Sequence, residues 1–195
     1  MEETTLHTGN ESDGILKIVL YGPESTGKTT LAQDLAAYYQ TLWVPEYMRI
    51  YLEEKRASFG TSITQSDLVP IAKGQLILEE KALKEVKNLL ICDTNLLEIK
   101  VYSKYYYNGF VPDFILKEAT RRKYDIYLLT YIDVPWEPDP LRDRPHHRAE
   151  MFHLFEKELI SEGAKYHIIK GNRAHRLQES VKIIDQLIAE KMSSL

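Results

Sequence analysis

The chain has 195 residues, of which 44% are hydrophobic and 28% charged, and its formal net charge is −4. These values are typical of a globular domain and exclude a disordered chain, a collagen-like fibre and a strongly basic surface for nucleic acid. The one cysteine, Cys92, cannot form an internal disulfide, and no apolar run approaches the roughly 20 residues that span a bilayer, so we expect a cytoplasmic protein without nucleic-acid or membrane partners.

The pattern along the chain predicts a short arm followed by one domain. Residues 1–14 are polar and acidic, without the basic and apolar regions of a signal peptide, and we expect a flexible N-terminal arm there. From residue 15 to residue 195, short apolar runs alternate with longer helical patterns. Strands are predicted at 15–21, 42–44, 89–92, 126–132 and 166–170. Helices are predicted at 28–40, 46–55, 65–87, 113–123, 148–162 and 174–191, with helix or irregular turns between residues 94 and 107. In the third of these, Pro70 suggests that the regular helix begins close to that residue.

This alternation predicts an α/β three-layer sandwich, in which a five-stranded parallel sheet is covered by helices on both faces. In such folds, ligands bind beyond the carboxyl ends of the strands, where the strand order reverses. Chemistry is therefore expected in the segments that follow each predicted strand.

The segment after the first predicted strand, residues 22–29, reads GPESTGKT and matches G-x-x-x-x-G-K-[ST]. In a loop of this kind, backbone N–H groups and a helix N-terminus surround nucleotide phosphates, and the lysine reaches the β- and γ-phosphates. The threonine hydroxyl ligates Mg²⁺. The motif predicts a P-loop NTPase fold with ATP and Mg²⁺ as cofactors. The nucleotide-binding residues predicted here are Gly22, Glu24, Ser25, Thr26, Gly27, Lys28, Thr29 and Thr30.

Charged residues also follow the second predicted strand. Glu46 and Arg49 are three positions apart, so on a helix they share one face. An acid at the end of a strand could accept a hydrogen bond from a substrate hydroxyl or take its proton, and Arg49 could steady a phosphate. We therefore assign Glu46, Tyr47 and Arg49 to a substrate site. The alternative is a solvated ion pair at the start of the helix, which contributes little.

Two further polar residues belong to this predicted site. Gln75, on the long third helix, could hydrogen-bond a substrate, although its side chain could equally be exposed. Asp93 ends the third predicted strand, and there it could hold Mg²⁺ opposite Thr29 and face the substrate. The alternative for Asp93 is that it only caps the next helix.

The segment after the fourth predicted strand contains four prolines between residues 135 and 145. We interpret residues 135–148 as a small lid, in which Arg142 and Arg144 close over the nucleotide and neutralise charge in the transition state. The alternative is a stiff surface loop. After the last predicted strand, the segment Gly171-Asn172-Arg173 is positioned to back an adenine ring, with Asn172 as the predicted contact, unless the segment is a plain turn.

The ordered set of motifs resembles the ribosylnicotinamide kinase domain of NadR-type proteins, a group of P-loop kinases. The resemblance runs from about residue 15 to residue 187. It rests on the phosphate loop and on four further stretches. These are Glu46-Tyr47-Met48-Arg49, Ile71-Ala72-Lys73-Gly74-Gln75, Cys92-Asp93-Thr94 and the segment from Pro135-Trp136 through Asp139 to Arg142.

The resemblance implies ATP-dependent phosphorylation of the ribose 5′-hydroxyl of nicotinamide riboside, which gives nicotinamide mononucleotide. It also implies that Glu46 and Arg49 lie at the riboside site and that Arg142 belongs to the lid. We expect the adenylyltransferase and helix-turn-helix parts of longer members to be absent. The predicted catalytic residues are Lys28, Glu46, Asp93 and Arg142. Two alternatives stay open: a kinase for another nucleoside or nucleotide, and an ATP-binding regulatory ATPase.

Overall fold

The computed structural model describes residues 14–59, 63–137 and 146–193. The five strands are β1 (Leu16–Tyr21), β2 (Trp43–Val44), β3 (Leu89–Asp93), β4 (Ile126–Thr130) and β5 (Tyr166–Ile169). The helices of the described residues are α1 (Lys28–Tyr39), α2 (Tyr47–Phe59), α3 (Leu68–Leu83), α4 (Leu96–Tyr106), α5 (Asp113–Arg121), α6 (Arg148–Ser161) and α7 (Arg173–Ser193). None of these helices is long and apolar enough to cross a membrane.

All strand pairs in the sheet are parallel, and the strand order is β2-β3-β1-β4-β5. Alternate side chains of the central strand β1 face opposite sides of the sheet. Ile18 and Leu20 pack against α1 and α7, whereas Val19 and Tyr21 pack against α3, α4 and α6. The predicted fold class, a three-layer α/β sandwich with a five-stranded parallel sheet, is confirmed.

A third apolar cluster joins α2, α3, α4 and α5. Leu68 and Ile71 of α3 meet Ile99 of α4 in this cluster, and Met48 of α2 packs against them. The cluster extends the molecule past the carboxyl end of β3 and forms an apolar wall there.

Several boundaries differ from the sequence-based prediction. The long third helix ends at Leu83 rather than at residue 87. Its regular part begins at Leu68, close to Pro70 as predicted, after a short 3₁₀ turn at Gln65–Asp67, so that Pro70 falls in its first turn. A proline is tolerated there because the first N–H groups of a helix have no partner within the helix. Strand β4 ends at Thr130 rather than at residue 132. Most of the predicted arm and lid lie outside the described residues.

Candidate active site

The phosphate loop connects β1 to α1 and takes backbone conformations that glycine favours. Gly22 and Gly27 have φ angles of +138° and +81°. A Cβ atom on Gly22 would lie 2.8 Å from Thr130 Oγ1, because the loop passes directly over the end of β4. Ser25 also adopts a left-handed φ of +56°, which costs free energy for a residue other than glycine.

The N-terminus of α1 is prepared for an anion. Among the described residues, no side chain caps this helix end, and its first turn contains no acidic residue. Its backbone N–H groups and its partial positive charge therefore face the loop, as phosphate binding requires.

Lys28, the first residue of α1, is 9% exposed and points back into the loop. Its Nζ donates to the carbonyl oxygens of Gly22 at 2.7 Å and Pro23 at 3.1 Å, and it lies 3.3 Å from Glu98 Oε1. Burial alone would lower the pKa of Lys28, but the neighbouring carboxylates, Glu98 first among them, raise it above its ordinary value. The ammonium is therefore charged and held where phosphates would meet it.

Thr29 and Asp93 meet across the boundary between α1 and β3. Thr29 Oγ1 donates to Asp93 Oδ2 at 2.6 Å, and Asp93 is 2% exposed. The other carboxylate oxygen, Oδ1, is buried without a hydrogen-bond partner among the described residues. Burial raises the pKa of Asp93 to about 6, against the opposing charge of Lys28. A hydroxyl and an unsatisfied carboxylate oxygen at this place fit the oxygen ligands of Mg²⁺.

Asn95, and not Asp93, caps the N-terminus of α4. Asn95 precedes α4, and its side-chain oxygen accepts a hydrogen bond from the backbone N–H of Leu97 at 3.0 Å. Asp93 is thus not needed at the helix end, and its carboxylate faces Thr29 instead.

A buried carboxyl in the first turn of α4 was not identified from the sequence. Glu98 is 3% exposed, pairs with Lys28 and lines the same cavity as the phosphate loop. Burial raises the pKa of Glu98 above its ordinary value, although the ammonium of Lys28 opposes the rise. In the sequence, Asn95 and Glu98 have the spacing of a capping box, so the local pattern explains Glu98 without any site.

One cavity of about 640 Å³ connects the phosphate loop to the apolar wall formed by the third cluster. Its lining includes Ser25 to Leu31 of the phosphate loop and α1, together with Glu46 and Arg49, for which the sequence predicts substrate contacts. The remaining apolar and aromatic lining residues are Met48, Leu52, Ile63, Leu68, Ile71, Ile99, Tyr102, Tyr106, Tyr107, Val134 and Pro135. The volume and the mixture of an apolar end with a few polar groups are typical of a small-molecule site.

Gln75 and Tyr47 do not line this cavity and thus differ from the predicted substrate contacts. Gln75 is 1% exposed; its Oε1 accepts from Tyr47 N at 2.7 Å and its Nε2 donates to Pro45 O at 3.2 Å. The amide therefore binds the backbone on both sides of Glu46. A Cβ atom on Gly74 would lie 1.9 Å from the Tyr47 ring, which shows how closely this ring packs on α3.

Two arginines without a signal in the sequence hold the backbone of the phosphate loop, and one of them, Arg176, also lines the cavity. Arg176 of α7 is 3% exposed and donates to the carbonyl oxygens of Thr26 and Tyr131, and it pairs with Asp133. Arg148, at the start of α6, donates to Ser25 O at 3.0 Å. Both contacts join residues more than a hundred positions apart, so no local motif could reveal them.

The remaining predicted nucleotide contacts have different outcomes. Asn172 does not line the cavity, because its side chain accepts a hydrogen bond from the backbone N–H of His175 at the start of α7. Its neighbour Arg173 lines the cavity and pairs with Asp34. Arg142 and Arg144 lie outside the described residues.

Tyr102 connects α4 to the phosphate loop. Its hydroxyl accepts a hydrogen bond from the backbone N–H of Glu24 at 3.1 Å, and its ring packs against Phe155. The tyrosine therefore serves both the core and the wall of the cavity.

Comparisons with known proteins agree with this geometry. A family model described as an AAA domain matches residues 17–176. The trifunctional NAD biosynthesis/regulator protein NadR of Salmonella typhimurium is 23% identical over 177 residues, which cover 89% of this chain and 43% of NadR. Two crystal structures of NadR proteins, one in complex with NR and one in complex with NAD and AMP-PNP, superpose on this chain with TM-scores of 0.71 and 0.72. Each is 20% identical in sequence, and each superposition covers 89% of this chain and 49% of the NadR chain. The chain thus spans less than half the length of the curated relative.

Proposed function

The chain belongs to the AAA domain family, and from this membership and the geometry of the cavity we propose that it is an ATP-dependent kinase. Its acceptor is the ribose 5′-hydroxyl of nicotinamide riboside, and its product is nicotinamide mononucleotide. The observation that carries the proposal is the single cavity that joins a phosphate loop, with Lys28 and Thr29, to the carboxylate of Glu46. The solved NadR complexes with NR and with AMP-PNP support both ligands.

On the donor side, the backbone N–H groups of the loop and the N-terminus of α1 bind the phosphates of ATP. Lys28 contributes a charge that reaches the β- and γ-phosphates. Thr29 and Asp93 would hold Mg²⁺, which when bound neutralises the charge that develops on the transferred phosphoryl group. Among the described residues, no group of three or more His, Cys, Asp or Glu side chains could hold a metal ion.

On the acceptor side, Glu46 accepts a hydrogen bond from the 5′-hydroxyl and orients its oxygen toward the γ-phosphorus. Gln75 fixes the backbone on both sides of Glu46, so this carboxylate has a defined place. Arg49 of α2, three positions after Glu46, lines the same cavity and binds the polar part of the riboside. The flat pyridine ring lies at the apolar end, beside Met48 and Tyr106.

The transfer then needs little covalent work from the protein. The acceptor O–H bond breaks and its proton passes to the carboxylate of Glu46. A bond forms between the acceptor oxygen and the γ-phosphorus, and the bond from that phosphorus to the bridging oxygen breaks, with its electron pair leaving on ADP. Lys28 stabilises the negative charge throughout.

A panel of nucleosides incubated with Mg-ATP tests the proposal, with the mass of each product as the readout. We expect nicotinamide riboside to gain one phosphate and ATP consumption to begin only when it is added. Phosphorylation of a different nucleoside in its place would favour a kinase with another acceptor. ATP consumption that needs no acceptor would favour a regulatory ATPase.

A further inference from the structure

The carboxylate of Glu98 and the phosphates of a bound nucleotide would both pair with the lysine of the phosphate loop. In this structure Lys28 Nζ lies 3.3 Å from Glu98 Oε1, while it also donates to the loop carbonyl oxygens of Gly22 and Pro23. A bound triphosphate requires the same ammonium for its β- and γ-phosphates. Lys28 must therefore leave Glu98, at least in part, when a nucleotide binds.

Glu98 is buried among charged and titratable groups, so its charge acts strongly on Lys28. Only 3% of Glu98 is exposed, so water does little to screen its charge. The groups that act on it come from every element around it. They are Lys28 of α1, Glu46 before α2, Asp93 of β3, Tyr21 of β1 and Tyr102 of α4 itself. Three carboxyls thus share one ammonium before any phosphate has entered.

We propose that Glu98 is an internal competitor of the triphosphate: it binds Lys28 in the nucleotide-free enzyme and so weakens nucleotide binding. The inference rests on the proposed function only in assuming that ATP occupies the phosphate loop. Glu98 is a positioning residue in this role, because it acts on the nucleotide through Lys28. Glu98 keeps the ammonium of Lys28 inside the loop, and the ammonium pairs with the phosphates when a nucleotide binds.

Calorimetric titration with Mg²⁺ and AMP-PNP tests the competition in the wild type and in Glu98→Gln, which keeps the shape but removes the charge. The titration is done at about pH 9, so that the carboxyl of Glu98 is ionised in spite of its raised pKa. We expect the Kd of AMP-PNP to fall about tenfold in the variant, since a buried charge close to the phosphates is lost. Adenosine, which has no phosphates, should bind both proteins equally.

Two further variants separate competition from a loss of structure. Glu158→Gln removes another buried carboxyl that pairs with lysines, on α6 and outside the cavity, and should leave the Kd of AMP-PNP unchanged. Glu98→Asp keeps the negative charge and should not bind AMP-PNP more tightly than the wild type does. A structural role alone would not increase affinity, so the gain in Glu98→Gln is specific to the proposal.

The outcomes distinguish this inference from the proposed function. If the wild type binds AMP-PNP and a folded Glu98→Gln protein binds it equally well or more weakly, the competitor role is wrong and the kinase assignment stands. If the wild type does not bind AMP-PNP at all, both are wrong.

Discussion

Lys28 is the residue on which phosphate binding depends most directly. We expect Lys28→Ala to abolish turnover, with a loss of at least about 10²-fold in kcat, because a charge aimed at the transferred phosphoryl group is removed. The fold should persist, since Glu98 can take up a proton once its partner is gone. Steady-state kinetics and circular dichroism check the two parts. Lys100→Met, which breaks a buried ion pair between α4 and α6, is the matched control and should keep its activity.

Glu46 is the residue that we propose to face the acceptor. Glu46→Gln keeps the size of the side chain but cannot accept a proton, so we expect kcat to fall by about 10²–10⁴-fold, as for a lost general base. The Kd of AMP-PNP should change little. Glu53→Gln, an exposed position on α2, the helix that follows Glu46, serves as the control. A nearly normal kcat in Glu46→Gln would limit this residue to a structural role.

Because the pKa of Asp93 is raised in the folded protein, we expect the free energy of unfolding to depend on pH in the absence of Mg²⁺. Its pKa is about 6 in the folded protein, above the ordinary 3.8, so the folded state binds the proton more tightly than the unfolded state does. Its favourable contribution to folding is complete below about pH 4 and is lost as the pH rises toward 6. Asp93→Asn should therefore increase the free energy of unfolding above pH 6 and change it little below pH 4. Urea titrations across this range measure the difference, and an equal effect at all pH values would contradict it.

At the scale of the elements, local patterns predicted most of the fold. The apolar runs of β1, β3 and β4 are buried strands, and the phosphate loop was readable because its residues are contiguous. Boundaries were less accurate, as at the end of β4 at Thr130 and the end of α3 at Leu83, because the ends of elements carry weak local signals.

The parts of the site that the sequence could not predict depend on contacts between distant elements. Glu98 and Arg176 reach the loop only after α4 and α7 have packed against the sheet. Gln75 was predicted to contact the substrate. In the structure its amide instead forms hydrogen bonds with the backbone on both sides of Glu46, because α3 lies beside that segment. Spacing along one helix carries no information about such partners.

The packing of α2 on α3 gives a prediction at the scale of the elements. In Gly74→Ala, the new Cβ would lie 1.9 Å from the Tyr47 ring, so the ring and the backbone beside Glu46 must move. We expect a loss of about 1–3 kcal/mol in the free energy of unfolding, typical of overpacking. The KM of the riboside should rise while the Kd of AMP-PNP stays the same. Gly14→Ala meets no atom within 4 Å and is the control; an unchanged KM in Gly74→Ala would contradict the account.

At the scale of the whole molecule, the strand order explains why the site lies where it does. Strands β1 and β3 are neighbours, with Leu20 opposite Asp93, although three helices and β2 separate them in the chain. The phosphate loop and Asp93 therefore meet at one edge of the sheet, and the connections through α2 and α4 close the cavity above it. In the proposed reaction, donor and acceptor share one cavity, which holds the acceptor oxygen and the γ-phosphate close together.

A crystal structure with AMP-PNP, Mg²⁺ and nicotinamide riboside is the most direct measurement of this account. It should show the triphosphate inside the loop formed by residues 22–29, with Lys28 on the β- and γ-phosphates. The carboxylate of Glu46 should lie within hydrogen-bond distance of the 5′-hydroxyl, and the hydroxyl oxygen should point at the γ-phosphorus. A triphosphate outside the loop, or a riboside whose hydroxyl lies away from Glu46, would contradict the account.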